Sequence, residues 1–251
     1  MRVIWSVLLC ILLSLPSPTF ATTLVGIWTK DRVTIAADSK QTLSDASGRP
    51  VGSQNVCKIY QSQNLVFAFA GLAKAEQVDV VEAVRDAHML TEQGTGKKLP
   101  LESIIVAAEA ALVRILKARG QSSDSSINVA LIIAGKIDGK LQMIREELGG
   151  IGISGDFSYP QRSRRIAYPE SAGYGGSDPK RGIEVVGINN AVKRFQSSKP
   201  DWNSGTDEDV AKRLITVETN DANDSVFVGQ PISEIVIKRN DTHWINKGEC
   251  P

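Results

Sequence analysis

Two runs of apolar and β-branched residues, 23–29 (Thr-Leu-Val-Gly-Ile-Trp-Thr) and 32–38 (Arg-Val-Thr-Ile-Ala-Ala-Asp), are separated only by Lys30-Asp31. A two-residue gap between β-rich runs predicts a tight antiparallel hairpin. That turn sets Thr23 opposite Asp38, so Thr22 and Asp38 meet at one sheet end. A second pair, Val56 to Gln61 and Leu65 to Ala70, flanks Ser62-Gln63-Asn64. Counting across it puts Lys58 opposite Ala68, at the same end as Gly71. The Ser-, Gly- and Asp-rich stretch 39–55 between the hairpins reads as loop.

Helical spacing follows. Val78, Val81, Val84 and His88 recur at three- and four-residue steps and predict a helix over 73–92, and Ile105, Ala108, Leu112 and Ile115 predict another over 101–118. Strands return at Ile127 to Ala134 and Leu141 to Arg145 around Asp138-Gly139, a strong hairpin turn. Residues 146–176 show no clear period and read as loop with one or two short strands. Ser177-Asp178-Pro179 reads as a helix start leading through Ile183 and Ala191 to Phe195. Thr206 with Asp209 reads as a cap before a helix through Val217. A last strand, Ile232 to Lys238, and a short pairing segment at His243-Trp244-Ile245 end the chain. Blocks of strands and helices without strict alternation predict an α+β domain, a four-layer αββα sandwich of two antiparallel sheets each flanked by a helix pair. No linker divides residues 22–251, which read as one domain.

Composition narrows the partners. The 251 residues carry a formal net charge of +1 with acids and bases interspersed, which favours neither nucleic acid nor an anionic membrane. Small molecules and polypeptides remain. Residues 1–21 stand apart: Met1-Arg2, an apolar run from Val3 to Leu15, then Pro16 to Ala21. This is the layout of a secretory signal peptide, and the run is shorter than the roughly 20 residues of a membrane span. Export is therefore expected, without a stable membrane anchor. Cys57 and Cys250 could pair in an oxidising compartment or remain free thiols. The two histidines, His88 and His243, lie near no cysteine or carboxylate at ligand spacing. Neither a metal site, a cofactor nor a Ser-His-Asp mechanism is expected.

Removal of residues 1–21 would leave Thr22 as the N-terminus. An N-terminal threonine can attack a carbonyl with its hydroxyl while its own α-amine, titrating near about 7.7–8.0, accepts the proton. A neighbouring lysine cation lowers that value further, and a carboxylate holds the lysine charged. Lys58 and Asp38 have that chemistry. The N–H of Gly71, with no side chain in the way, could stabilise an oxyanion.

These residues also carry a resemblance. Thr22 to Ile27, Lys30 to Ser39, Lys58-Ile59-Tyr60-Gln61 and Phe67 to Leu72 resemble the corresponding parts of proteasome β-type subunits. The resemblance implies Thr22 as nucleophile with its amine as base, Asp38 and Lys58 as the charge pair, Gly71 as oxyanion donor and the αββα sandwich. Asp224-Ser225 with Gly229 resembles the stretch that supports the nucleophile's amine, and Asp224 is expected there. Ala172-Gly173-Tyr174-Gly175 resembles a Gly-Ser-Gly turn with tyrosine in place of serine, and Gln230-Pro231 stands where a second glycine is more familiar. Ala21 precedes Thr22 where family members carry a glycine for self-cleavage, so signal peptidase is expected to expose the nucleophile. The implied activity is a threonine-type peptidase, acting on a peptide or on a small amide and assembled as a ring-like homo-oligomer; a catalytically silent relative is the alternative.

Overall fold

The computed structural model describes residues 17–19, 22–44, 50–62, 65–71, 74–75, 78–79, 81–82, 84–86, 101–118, 129–137, 140–154, 157–169 and 180–251. Its strands are β1 (Ser17–Thr19), β2 (Thr23–Thr29), β3 (Arg32–Asp38), β4 (Lys40–Ser44), β5 (Pro50–Asn55), β6 (Ile59–Ser62), β7 (Leu65–Ala70), β8 (Lys74–Ala75), β9 (Val78–Asp79), β10 (Val129–Ile137), β11 (Lys140–Ser154), β12 (Phe157–Tyr168), β13 (Arg181–Gly187), β14 (Ile232–Lys238) and β15 (Thr242–Asn246). The helices are α1 (Leu101–Ala118), α2 (Asn190–Ser198) and α3 (Asp207–Asn220).

The chain is α+β, with two five-stranded antiparallel sheets, β13-β2-β3-β14-β15 and β12-β11-β10-β7-β6. One cluster joins their facing sides, drawing Leu24, Ile35 and Ile235 from the first sheet and Val66, Ile132 and Met143 from the second. Each such fully buried side chain contributes about 1.5–3 kcal/mol of transfer free energy. The sheets approach closely at Gly26, where a Cβ would stand 2.9 Å from Met143 Sδ. Trp28 crosses between them and donates its indole N–H to the Leu141 carbonyl at 3.0 Å.

The alternation within β2 and β3 places Val25, Ile27 and Ala36 on the opposite face, where they pack with Val192 of α2 and Val210, Leu214 and Ile215 of α3. Thr206 caps α3 by accepting from the Asp209 N–H at 3.1 Å, as its spacing predicted. Beneath the second sheet, α1 buries Ile105, Ala108 and Ala111.

Several expected elements differ. The stretch 39–55 is not loop: β4 and β5 pair antiparallel, and β1 pairs with β4. Its Ser, Gln and Gly residues gave no alternation because β5 is exposed from Val51 to Asn55. The helix expected from 73 starts later. Lys74 pairs with Asp79 and Ala75 with Val78 in a small ladder, and helical backbone appears at 81–82 and 84–86. His88 lies outside the described residues.

The region 146–176 carries the largest correction. β11 and β12 form a long hairpin interrupted by register shifts near Leu148, which hide the period from a reader of the sequence. Of the helix expected from 177 to Phe195, the stretch 181–187 is instead β13, paired with β2 from Arg181↔Thr29 to Gly187↔Thr23, and helix begins only at Asn190. In β13 the charged Glu184 occupies a buried position, because Arg145 Nη1 at 2.5 Å and the Tyr168 hydroxyl at 2.6 Å both reach it.

Candidate active site

β2 and β3 pair in the register that the Lys30-Asp31 turn requires, with Leu24 opposite Ala37. At the open end Thr23 donates its backbone N–H to Asp38 Oδ1 at 2.8 Å. The peptide that follows Thr22 is thereby tied to the carboxylate. Lys58 Nζ lies 3.0 Å from the other oxygen, Asp38 Oδ2, and donates to the Lys40 carbonyl as well. Thr22, Asp38 and Lys58 are 3%, 0% and 7% exposed.

Asp38 Oδ2 collects two more donors, the N–H groups of Lys40 at 3.0 Å and Gly229 at 3.3 Å. Burial pushes the Asp38 carboxyl above its ordinary range and the Lys58 ammonium below its own. Their mutual attraction opposes both shifts, as do the hydrogen bonds that Asp38 accepts. Cys57, the residue before Lys58, is disulfide-bonded to Cys250 across 193 positions of sequence. The bridge ties the C-terminal segment beside the lysine and resolves the choice left open by the sequence.

The second hairpin is one residue out from the expected count. Ile59, rather than Lys58, faces Ala68, because the strands are separated by two residues instead of three. Lys58 stands just before β6, and its carbonyl accepts the Phe69 N–H at 3.3 Å. Gly71 follows β7 with φ of 101°, a conformation glycine adopts without steric cost. Ala70, immediately before it, lies beside Gly187.

Gly187 and Ile188 are site residues the sequence did not reveal. Ile188 donates its N–H to the Thr22 carbonyl at 2.9 Å, and its own carbonyl accepts from Thr23 Oγ1 at 2.6 Å. Gly187 has φ of +85°, and a Cβ there would fall 1.8 Å from the Thr22 carbonyl oxygen. Only glycine lets the turn approach so closely. The one local signal is a glycine closing the run 181–187 before Asn189-Asn190. The expected turn at Ala172–Gly175, Tyr174 included, lies outside the described residues.

Asp224 is buried but does not hydrogen-bond to Thr22. Its carboxyl engages Glu218, and its N–H is turned to Asp221 Oδ1. The segment after it is laced to β4: the Ser225 carbonyl accepts from Lys40 Nζ at 2.7 Å and the Val226 carbonyl from Thr42 Oγ1 at 3.1 Å. Gly229 then reaches Asp38 with its backbone N–H, a role its place after Asp224-Ser225 did not announce.

The arrangement holds the Lys58 ammonium and the peptide that follows Thr22 on the two oxygens of one carboxylate. A family model described as proteasome subunit matches residues 19–157, which include Thr22, Asp38, Lys58 and Gly71. No curated protein matches the chain.

Proposed function

Because the chain belongs to the proteasome subunit family, whose model covers more than half of it, we propose that it is a threonine-type peptidase with Thr22 as its N-terminal nucleophile. The observation that carries this reading is Asp38, which holds the Thr23 N–H on one oxygen and Lys58 Nζ on the other. Once Ala21 is cleaved away, Thr22 Oγ attacks the substrate carbonyl and its proton passes to the Thr22 α-amine. The Lys58 cation lowers the amine's proton affinity by like-charge repulsion, which keeps the amine available as a base near neutral pH. The Gly71 N–H stabilises the oxyanion. Collapse of the tetrahedral intermediate expels the leaving amine, which takes the proton, and leaves an acyl ester on Thr22. Water, deprotonated by the same α-amine, then hydrolyses the ester.

A polypeptide substrate is favoured over a small amide because β4 already accepts an extended segment: Ser17–Thr19 pairs antiparallel with Thr42–Ser44. An incoming chain can use the same backbone groups. We further read residues 1–21 as an export signal whose removal exposes Thr22, the second sheet as completed by a helix pair in an αββα arrangement, and the protein as a homo-oligomer. An exported enzyme has no ATP supply, so its substrates are short or unfolded chains.

One observation favours a catalytically silent relative: Asp224, expected beside the amine, engages Glu218 instead. The variant Thr22→Ala separates the readings. Purified mature protein should hydrolyse members of a peptide panel, and Thr22→Ala should lose that hydrolysis by at least about a thousandfold, the scale of losing a nucleophile. Hydrolysis undiminished in Thr22→Ala would exclude Thr22 as nucleophile. Inactivity of both proteins towards peptides, with no acylation of Thr22, would favour the silent relative.

A further inference from the structure

The turn that holds Thr22 leads directly into α2, and the start of α2 is capped in an unusual way. The first N–H groups of a helix have no partner within it, and a side chain at the N-cap ordinarily supplies one. Here Asn189, at the N-cap, makes no side-chain cap, and α2 has no acidic residue in its first turn. The Asn189 amide donates to the Val185 carbonyl instead. The N–H of Val192 is taken by Glu218 Oε1, 2.8 Å away, from the last turn of α3.

A short line of rigid contacts therefore runs from Glu218 to Thr22. Glu218 fixes Val192, Val192 belongs to the first turn of α2, and the turn ahead of α2 gives the Ile188 N–H to the Thr22 carbonyl. The Gly187 backbone is packed too tightly against that carbonyl to shift alone. We infer that Glu218 is a positioning residue for Thr22, acting through the start of α2, and that its contact with Asp224 makes this hold sensitive to pH. The inference rests on the proposed role of Thr22.

The groups facing Glu218 decide how it behaves. From the segment after α3 come the carboxyls of Asp224 and Asp221, and from α2 comes the Val192 N–H; Arg194 of α2 pairs with Asp221 at 2.5 Å. The sheet under α2 and α3 contributes uncharged side chains such as Val25, Ile27 and Ala36. Glu218 is fully buried, and Oε2 of Glu218 and Oδ2 of Asp224 have no donor among the described residues. One proton held between the two carboxyls satisfies both. Burial, followed by the contact with Asp224, raises Glu218 to about 7, so the shared proton leaves in the neutral range. Two facing carboxylates then repel and loosen the anchor of α2.

The test measures the rate at which a β-lactone electrophile acylates Thr22, read by intact mass between pH 5.5 and 9, in wild type, Glu218→Gln and Glu218→Ala. Glutamine can still accept from Val192 and can donate permanently to Asp224. Glu218→Gln should label within about threefold of wild type at pH 6, and the ratio of its rate to the wild-type rate should rise through about pH 7 and then level. Glu218→Ala should label at least about tenfold more slowly, with hydrogen exchange in residues 187–192 accelerated by a similar factor and normal in Glu218→Gln. A pH-independent ratio, or normal labelling and exchange in Glu218→Ala, would overturn the inference. Should Glu218→Ala not fold, the glutamine ratio still decides. If wild type is not acylated at Thr22, the reading of Thr22 as nucleophile fails, and unchanged exchange over 187–192 in Glu218→Ala would separately dispose of the Glu218 anchor.

Discussion

Two buried carboxyl sites flank the segment that carries Thr22, and they are supplied very differently. Asp38 receives three backbone N–H groups, from Thr23, Lys40 and Gly229, together with the Lys58 ammonium. Among the described residues, Glu218 and Asp224 share a single backbone donor, the N–H of Val192, and keep two oxygens without one. Four donors favour the ionised form of Asp38 and oppose the rise that burial imposes. A carboxyl pair with one donor must hold a proton to stay buried without repulsion. The molecule thus places a richly supplied carboxyl beside Thr22 and a sparsely supplied carboxyl pair behind it.

The contrast is open to direct attack. Removing the supplied carboxylate should cost most: Asp38→Ala strands the Lys58 ammonium and three N–H groups, and a loss of about 3–5 kcal/mol is expected in urea denaturation. A loss below about 1 kcal/mol would mean that Asp38 is not the anchor its donors imply. Next comes Gly187→Ala, which strikes the turn between the two sites. Its positive φ and the 1.8 Å approach to the Thr22 carbonyl predict about 2–3 kcal/mol of destabilisation, with slower acylation of Thr22. Ordinary stability in this variant would show that the turn can move aside.

The smallest effect sharpens the comparison from the other side. Glu218 is raised from 4.5 to about 7, so the folded protein holds this proton more tightly than the unfolded chain. Its contribution is complete below about pH 4.5 and is lost as pH rises to about 7. Asp224→Asn supplies a permanent donor and should flatten that slope, leaving the protein about 1 kcal/mol more stable than wild type at pH 8 and no more stable at pH 4.5. Glu234, raised to about 7 chiefly by burial, adds a slope of the same sign, so the difference between variant and wild type is the quantity to read. Equal slopes would mean that Glu218 and Asp224 do not share a proton.

Much of this was legible in the chain and some was not, for identifiable reasons. The first hairpin could be read to the residue because its turn is two residues long and its alternation clean. The second was read one residue out, since the polar turn around Gln63 does not mark where β6 stops. β13 was mistaken for a helix because Glu184 fills a buried strand position and disguises the two-residue period, a disguise explained only by Arg145 of β11 and Tyr168 of β12. Asp38 and Lys58, which the structure brings together, are local to two hairpins and could be named in advance. Gly187, Ile188, Gly229 and Glu218 meet the site through backbone groups or long-range packing, and a backbone N–H leaves no letter in the sequence. Asp224 was visible as a carboxylate, but its engagement with Glu218 depends on where α3 ends.

The most direct measurement is the mass of the N-terminal peptide from the mature protein before and after treatment with a threonine-directed electrophile. The expected result is a peptide that begins at Thr22 with a free α-amine, and an adduct on that residue which disappears in Asp38→Ala. A functional protein whose Thr22 is still joined to Ala21, or whose adduct maps to another residue, would contradict it.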